Sequence, residues 1–507
     1  MKNDVVADSG RSETFWRERN SWRVAKANKL SLIVDGEQYF RHLRNVIKAT
    51  KYELLLIGWD FDFEIEMLPG ESDDEGHAPD GLPNQLGAFL EAVVEQAPDL
   101  NIHLLKWNGS VLVAPSRTIP AFALDYFGSD RIHVALDGHH PFGACHHHKI
   151  VVADDTFAFC GGIDATESRW DTSDHIPDDP RRTRKDGTPS EPWHDATSAL
   201  TGPVAAALAE LSRRRWHRAT GDTVEKPEFT ANALWPEGLK VDATNVDVAI
   251  ARTEPPFDGE LMINEIEQLF LDSIEKANDT IYFESQYFTG ETICAALERR
   301  LQEDHGPEVI VINPNEALSE FEDDAMHILR SRMIKRLSAA DHEDRFRIYY
   351  PVTTADEQIY VHAKINIIDD QVLHLGSSNI NDRSMGLDTE CDVGVEGEPE
   401  LISGFRTRLL AEHLNVSTKR LELTLSGTGS VIHTIEKLNP YDGCRLREIE
   451  PRDEGMVGKF LADTRLMDKR YFPGEVTSTG TGIRPRHLVM AVGIFAVGFV
   501  AWRLWRR

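Results

Sequence analysis

HHKIVVADDTFAFCGGID, residues 147–164, reveals how the chain is organised, because a matching stretch occurs later in the chain. The second copy is HAKINIIDDQVLHLGSSN, residues 362–379, which begins 215 residues after the first. Each copy has a histidine, a lysine two residues later, an aspartate five residues after the lysine, and a glycine seven residues after the aspartate. One copy would be weak, since these residue types coincide often by chance. Two copies with one spacing indicate an internal duplication that kept the same polar groups.

Both copies predict a strand, a tight turn and a second strand. The β-prone runs 150–153 and 365–368 end at Asp-Asp pairs, and a second apolar run follows each pair. Because side chains alternate along a strand, the histidine and the lysine of each copy are predicted to lie on one face. Strand and helix patterns alternate in the rest of residues 31–425, which indicates an α/β fold.

The residue types in the motif suit the transfer of a phosphoryl group. A neutral imidazole is a nucleophile near neutral pH and also an acid–base group. A lysine supplies positive charge for phosphate oxygens, and a carboxylate can orient an imidazole and stabilise its cationic form. If the copies meet across a pseudo-twofold interface, one histidine would attack phosphorus and the other would protonate the leaving oxygen. Neither motif offers an oxygen-rich metal site, so no metal and no cofactor is expected.

A metal site in the histidine run 146–148 is the alternative for the first motif, because imidazole is a common ligand. Adjacent residues of a strand point to opposite faces, and Lys149 opposes a bound cation. The paired motifs therefore favour catalysis by His147 over metal binding.

The two motifs are similar to those of the phospholipase D superfamily, whose signature is His-x-Lys-x4-Asp-x6-Gly-(Gly/Ser)-x-(Asn/Asp). Further blocks resemble the phosphatidyl-hydrolysing members rather than the nucleases of that superfamily. These blocks are Gly161–Asp164 with Arg169–Asp171, Pro192–Asp195, Ile281–Phe288, and Asn379–Met385 with Glu390. The chain departs from the family pattern at Phe283 and Ser285. The resemblance covers roughly residues 30–420.

This resemblance implies two pseudo-symmetric phospholipase D-like α/β/α domains with the active site at their interface. It implies the catalytic residues His147, Lys149, Asp154, His362, Lys364 and Asp369. The substrate-binding residues implied are Gly162, Asp164, Ser377, Asn379, Glu284 and Gln286. For Glu284 and Gln286, orientation of a motif histidine or a structural role at a strand edge stays open. His194 is either part of the catalytic surroundings or structural.

The family pattern makes His147 the nucleophile and His362 the acid–base group. The expected activity is cleavage of a phospholipid headgroup ester through a phosphohistidine, with water or another alcohol as acceptor. Two alternatives stay open: a cardiolipin-synthase-like phosphatidyl transferase, and a membrane-attached scaffold without turnover. A monomer is expected, since the two motifs would form an intramolecular pseudo-dimer.

Composition limits the partners and the compartment. The formal net charge of −29 disfavours a nucleic-acid partner, and it opposes binding to an anionic membrane surface. Five scattered cysteines form no disulfide framework or zinc spacing, which suits a reducing compartment. Residues 1–20 lack the apolar core of a signal peptide. We therefore expect a catalytic body in the cytoplasm.

The C-terminal residues 486–507 indicate how the acidic catalytic part of the protein could be held at a membrane. Leu488–Trp502 contains no charged residue, and arginines lie on both sides of it. As a helix it would be about 22 Å long, and about 27 Å if it extends to Trp505, against roughly 30 Å for a hydrocarbon core. We expect residues 486–507 to form a hydrophobic helix that serves as a single-pass anchor. A core helix or a protein-docking helix is the alternative.

The remaining boundaries follow composition. Residues 1–30 are an N-terminal segment, 31–225 the first domain, 226–245 a connector, 246–425 the second domain, and 426–485 a C-terminal extension and linker.

Overall fold

The computed structural model describes residues 15–109, 128–228, 234–317, 320–439, 445–465 and 467–471. Its strands are β1 (Arg23–Val34), β2 (Glu53–Gly58), β3 (Asn101–Trp107), β4 (Ile132–Asp137), β5 (Ile150–Ala153), β6 (Phe157–Gly161), β7 (Trp193–His194), β8 (Ala196–Thr201), β9 (Ala243–Glu254), β10 (Ile263–Asn264), β11 (Thr280–Glu284), β12 (Glu308–Ile312), β13 (Phe346–Val352), β14 (Tyr360–Val361), β15 (Ile365–Ile368), β16 (Val372–Gly376), β17 (Glu390–Glu396) and β18 (Arg445–Glu448). Its helices are α1 (Gly36–Ala49), α2 (Leu86–Gln96), α3 (Pro203–Thr220), α4 (Glu265–Lys276), α5 (Glu291–Leu301), α6 (Glu320–Ala340), α7 (Asp382–Gly386), α8 (Pro399–His413), α9 (Thr418–Thr428), α10 (Val431–Leu438) and α11 (Met456–Thr464).

Within the described residues, sixteen strands form one sheet. From one edge, its order is β4-β3-β2-β5-β6-β8-β1-β9-β17-β16-β15-β11-β12-β13-β18, and β10 pairs with β9 beside this path. The order is symmetric about the β1–β9 junction: β2, β3 and β4 are parallel to one another, and so are β11, β12 and β13. The duplication seen in the motifs therefore extends to the strand order of both halves. The predicted α/β class is confirmed as a mixed α/β fold with one large sheet.

The motif hairpins form as the sequence predicts. β5 turns into β6 at an Asp-Asp pair, and β15 turns into β16 at another. The φ angles are 49° and 56° at Asp154 and Asp155, and 51° and 53° at Asp369 and Asp370. Positive φ at both central residues of the turns 153–156 and 368–371 matches the right-handed twist of the flanking strands, and aspartate tolerates this conformation better than most residues.

Both faces of the sheet are buried, because helices cover each side. Leu55 of β2 packs in one apolar cluster with Val152 and Ile365, so this cluster runs through both halves of the sheet. Leu54, the next side chain along β2, packs in a second cluster on the opposite face. This burial explains why the central strands are almost continuously apolar instead of alternating with polar residues.

Three segments outside the two expected domains contribute to the sheet, one of them the connector 226–245, in which β9 begins at Ala243. β1 begins at Arg23, inside the expected N-terminal segment 1–30, and it pairs with both β8 and β9 at the centre of the sheet. β18 lies in the extension 426–485 and pairs with β13 at an edge. The domain boundaries themselves stay a prediction.

Among the described residues, none of the helices combines the length and apolarity needed to cross a bilayer. The expected hydrophobic helix at residues 486–507 lies outside the described residues.

Candidate active site

Two short backbone contacts bring the motifs together at the β1–β9 junction. His147 donates its backbone N–H to the carbonyl of Thr389 at 3.0 Å, so the first motif contacts the second half of the chain. His362 donates its backbone N–H to the carbonyl of His194 at 2.8 Å, so the second motif contacts the first half. β7 and β14 extend the latter contact as a two-stranded parallel sheet. Each motif histidine is therefore held by backbone from the opposite half.

Side-chain contacts also join each motif histidine to the opposite half. His147 Nδ1 lies 2.9 Å from Glu390 Oε2, and His362 Nδ1 lies 2.7 Å from Asp195 Oδ2. Both carboxylates are buried, with 1 % or less of the side chain exposed. The carboxylate of Asp195 favours the tautomer of His362 with the proton on Nδ1, and burial raises the pKa of Glu390 well above its usual range. In both cases Nδ1 is occupied by the acidic side chain, which leaves Nε2 of each imidazole for a substrate.

Sequence reasoning missed both of these carboxylates as partners of the histidines. Asp195 immediately precedes β8, and Glu390 is the first residue of the equivalent strand β17. Asp195 follows Gly161 by 34 residues, whereas Glu390 follows Gly376 by only 14, so a search for one constant offset does not pair them. A carboxylate at the start of the strand beside each motif hairpin is the signal that would have found them.

Asp154 and Asp369 hold backbone rather than the histidines. Asp154 accepts hydrogen bonds from the backbone N–H groups of Lys51, Tyr52 and Glu53, at 2.8, 2.8 and 2.9 Å. Asp369 accepts from the backbone N–H groups of residues 278, 279 and 280 at 2.7, 2.9 and 2.7 Å. The resemblance implies that both aspartates are catalytic residues, and their contacts indicate that they act by supporting the loops: each fixes the start of a parallel strand beside its hairpin.

We predict that Asp154→Ala lowers the free energy of unfolding by about 2–4 kcal/mol, because three N–H groups lose a charged acceptor at a buried site. Asp154→Asn should cost less, since its remaining oxygen still accepts. Asp369→Ala should also cost less, because two of its three hydrogen bonds are exposed and water can replace them. Urea unfolding measures the free energy of unfolding of the three variants. Equal losses of this free energy in Asp154→Ala and Asp369→Ala would contradict the prediction.

The motif lysines lie beside the histidines. Lys149 Nζ donates to the carbonyl of His147 at 3.2 Å and pairs with Asp164 Oδ2 at 3.1 Å. Lys364 Nζ donates to the carbonyl of His362. Burial lowers the pKa of Lys364 to about 7, while the nearby carboxylate of Asp195 opposes this shift.

The electrostatics of the site couple the two motifs. Burial lowers the pKa of His147 well below its usual range, and the ammonium groups of Lys149 and Lys364 act in the same direction. Burial and the same two lysines also lower the pKa of His362 well below its usual range. Burial raises the pKa of Asp195 to about 6. Both imidazoles are therefore neutral in the free site, as a nitrogen nucleophile requires.

Gly162 and Ser377 occupy equivalent positions and contact the orienting carboxylates. A Cβ atom at Gly162 would lie 2.1 Å from Asp195 Oδ1, so only glycine leaves room for this carboxylate. Ser377 Oγ donates to Glu390 Oε2 at 2.5 Å. Asn379 Oδ1 is buried without a hydrogen-bond partner among the described residues, which makes Asn379 the candidate for direct contact with a substrate.

Glu284 and Gln286 do not contact the motif histidines through any hydrogen bond of the described residues. Glu284 is buried and lies 2.8 Å from His194 Nε2 and 3.1 Å from His413 Nε2. Gln286 Nε2 donates to the hydroxyl of Tyr360 at 3.0 Å. Of the roles left open by the sequence, these contacts favour a structural one for Glu284.

Neighbouring histidines of the run 146–148 point away from His147. His146 Nδ1 lies 3.0 Å from Thr389 Oγ1, and its ring packs on that of His148 with centroids 4.9 Å apart. Within the described part of the chain, the run belongs to none of the groups with metal-ligand geometry.

Comparison with known proteins agrees with this arrangement. Residues 270–411 match the family described as "Cardiolipin synthase, PLD-like domain". Phospholipase D A of Dictyostelium discoideum is 23% identical over 76% of this chain and 36% of its own length. Phospholipase D alpha 1 of Carica papaya is 24% identical over 80% of this chain and 69% of its own length. The chain thus spans about a third of the Dictyostelium relative and most of the papaya one.

Among solved structures, the phosphatidylserine synthase of Haemophilus influenzae has the same fold, with a TM-score of 0.52, 12% identity, and coverage of 77% of this chain and 88% of that one. Duplicated motifs, a symmetric sheet and the sequence relatives together support a member of the phospholipase D superfamily.

Proposed function

We propose that the protein is a phospholipase D-type phosphodiesterase that cleaves the headgroup ester of a glycerophospholipid and can transfer the phosphatidyl group. One observation carries this proposal: two buried imidazoles each have Nδ1 on an acidic side chain of the opposite half, and each has its motif lysine beside it. We also propose that the two symmetric halves of the sheet are two phospholipase D-like domains with the site at their interface.

In the first step, His147 Nε2 forms a bond to phosphorus while the bond from phosphorus to the headgroup oxygen breaks. His362 gives a proton to that oxygen, so a neutral alcohol leaves. The negative charge of a bound phosphodiester favours the protonated form of His362, which burial and the lysines disfavour in the free site. Lys149 and Lys364 neutralise the non-bridging oxygens, where negative charge is concentrated.

In the second step, His362 takes a proton from water as the oxygen attacks phosphorus and the bond to His147 breaks. The product is phosphatidic acid, or a new phospholipid if an alcohol replaces water. The side chain of His147 is 13 % exposed against 6 % for His362, which supports His147 as the more accessible imidazole for attack on phosphorus.

Product analysis tests the proposal. Purified full-length protein is incubated with labelled phosphatidylcholine, phosphatidylethanolamine or phosphatidylglycerol in vesicles, with and without ethanol. We expect phosphatidic acid, and phosphatidylethanol when ethanol is present. Diacylglycerol as the product would contradict the mechanism, because it requires cleavage on the other side of phosphorus, and absence of turnover on every lipid would favour the scaffold.

The second candidate is a cardiolipin-synthase-like transferase, favoured by the family description matched over residues 270–411. The chemistry is the same, but a lipid alcohol is the acceptor. Formation of cardiolipin and glycerol from phosphatidylglycerol, without hydrolysis of the other lipids, would support this candidate over the first.

The pH dependence of kcat/KM should be bell-shaped. As the pH falls through about 6, Asp195 is protonated and no longer accepts the Nδ1 proton of His362. As the pH rises through about 7, Lys364 loses the positive charge that binds phosphate oxygens. A short-chain soluble substrate should show both limbs. Lys364→Arg should remove the alkaline limb, because a guanidinium stays charged, and an unchanged alkaline limb would contradict the role of Lys364.

We propose that residues 486–507 hold the protein at a membrane. Deleting them should leave hydrolysis of the soluble substrate unchanged and lower activity on vesicles, because tethering raises the effective concentration at the lipid. Fractionation of the truncated protein after a high-salt wash measures attachment. A truncated protein that stays membrane-bound would contradict the anchor.

A further inference from the structure

Behind the active site, four buried side chains form a second group of polar residues, the histidine–carboxylate cluster Asp35, His175, His194 and Glu412. Asp35 precedes α1, His194 belongs to β7, and Glu412 lies on α8. His175 lies in the stretch between β6 and β7, which carries the extra residues that the second half lacks. Asp35, His175 and His194 are at most 2 % exposed, and the side chain of Glu412 is 11 % exposed.

The donor atoms of the cluster converge on one point. One atom from each residue can be chosen so that all four lie within 4.8 Å of one another. His194 Nδ1 lies 3.2 Å from Asp35 Oδ1 and 2.9 Å from Glu412 Oε1. His175 Nε2 lies 3.9 Å from Asp35 Oδ2 and 3.4 Å from Glu412 Oε1. Ligands about 2.0–2.1 Å from a tetrahedral Zn²⁺ are about 3.3 Å apart, so these separations bracket the value for a zinc site.

Three buried atoms of the cluster, His175 Nε2, His194 Nδ1 and Glu412 Oε1, have no aligned hydrogen bond in the described structure, although ion pairs connect them. Those ion pairs require protons on the inner histidine nitrogens, and a metal ion would take the place of these protons. Buried polar atoms are normally well paired, so this set of unaligned donors and acceptors indicates a place for a ligand.

The outer nitrogens of the two histidines support the same conclusion. His175 Nδ1 lies 2.9 Å from Asp171 Oδ2, and His194 Nε2 lies 2.8 Å from Glu284 Oε2. If each outer nitrogen donates its proton to a carboxylate, each inner nitrogen presents a lone pair to the cluster. A carboxylate behind a histidine is the usual arrangement around metal-binding imidazoles.

We propose that Asp35, His175, His194 and Glu412 bind one structural Zn²⁺ ion. Two imidazoles and two carboxylates suit zinc, whereas Ca²⁺ and Mg²⁺ prefer oxygen ligands alone. The ion offsets the negative charge of the converging carboxylates. This site is separate from the motif residues, where no metal is expected, and it does not depend on the proposed lipid activity.

The bound zinc ion would make the active site more rigid without touching the substrate. The carbonyl of His194 accepts the backbone N–H of His362 at 2.8 Å, and the next residue, Asp195, orients the His362 imidazole. Zinc would thus fix β7 relative to β1 and α8 and act on His362 through position alone. Asp35, His175, His194 and Glu412 are positioning residues in this sense.

Metal analysis of the wild-type protein is the first test. Full-length protein, expressed with added Zn²⁺ and purified without a metal-affinity step, is dialysed against metal-free buffer and measured by plasma mass spectrometry. We expect about one Zn²⁺ per chain, because a closed site of four protein ligands retains the ion. Less than about one tenth of an equivalent would overturn the proposal and leave a network of protonated histidines and carboxylates. One equivalent of a different divalent metal would overturn the assignment to zinc.

Matched variants locate the ion. Glu412→Gln and His175→Gln should each lower the zinc content at least about tenfold, since each removes a ligand. His374→Gln is the control: this histidine is also buried and lies 3.3 Å from Asp392, but it is outside the cluster, so its zinc content should stay at one equivalent. Full zinc content in Glu412→Gln and His175→Gln would overturn the proposal.

A spectroscopic readout on the wild-type protein keeps the test independent of variant folding. The zinc-free protein, obtained by mild denaturation with chelator and refolding, is loaded with Co²⁺. We expect the strong visible absorption of four-coordinate Co²⁺, which equimolar Zn²⁺ should displace. The weak absorption of six-coordinate Co²⁺ would contradict the proposed ligand set.

Discussion

Replacing His147 by alanine is expected to lower kcat/KM for phosphodiester cleavage by about 10⁴- to 10⁶-fold, because the nucleophile of a covalent mechanism has no substitute nearby. His362→Ala should also be strongly impaired on natural lipids, since the departing alcohol then leaves without a proton. A substrate with a p-nitrophenolate leaving group needs no such proton. It should therefore restore much of the first step in His362→Ala and none of it in His147→Ala.

Rapid quenching separates the two histidines directly. Turnover of wild-type protein should leave an acid-labile phosphoramidate on the peptide that contains His147, and His362→Ala should accumulate it with the p-nitrophenyl substrate. A phosphoramidate on the His362 peptide would reverse the assignment. His433→Ala is the control, because His433 is exposed on α10 and should retain wild-type activity.

Asp195→Asn and Glu390→Gln are each expected to lower kcat by about 10²- to 10⁴-fold, because an amide no longer holds the Nδ1-protonated tautomer of its histidine. Asp195→Asn should also remove the acid limb near pH 6, since Asp195 is the group that titrates there. Glu390→Gln should keep that limb. Pre-steady-state and steady-state rates over pH, on a soluble substrate, measure both effects.

The matched control for these amides is Glu210→Gln. Glu210 is a surface carboxylate with 59% of its side chain exposed, paired with Arg23 at 2.7 Å. Its replacement should change neither kcat nor the pH profile, because exposed ion pairs contribute little. If Asp195→Asn and Glu390→Gln were as active as Glu210→Gln, the proposed orientation of the histidines by the opposite half would be wrong.

The motif hairpins could be predicted from the sequence because everything that specifies them is local. Each 18-residue copy contains all of these features: the β-branched run, the Asp-Asp turn and the small residue after the second strand. Alternation along the strand then places His147 and Lys149 together without knowledge of the rest of the chain. The mixed α/β class followed from the same kind of local pattern.

The partners of the histidines could not be predicted in this way because they are long-range. Glu390 contacts His147 across 243 residues, and Asp195 contacts His362 across 167. The first half has 20 more residues than the second between its glycine and its carboxylate, which conceals the equivalence. The contact of Gly162 with Asp195 is long-range too: the resemblance predicts that Gly162 binds the substrate, and the structure adds that its lack of a side chain makes room for Asp195.

The exchange of carboxylates between the halves has a consequence for how the protein evolves. A mutation at Glu390 changes the surroundings of His147, and a mutation at Asp195 changes those of His362. A compensating change would therefore have to arise in the other copy of the duplicated segment. Recombination that joins one half to the corresponding half of a distant relative would therefore separate each histidine from the carboxylate with which it diversified. The contacts thus couple the two copies, so that a change in one copy constrains the changes that the other can accept.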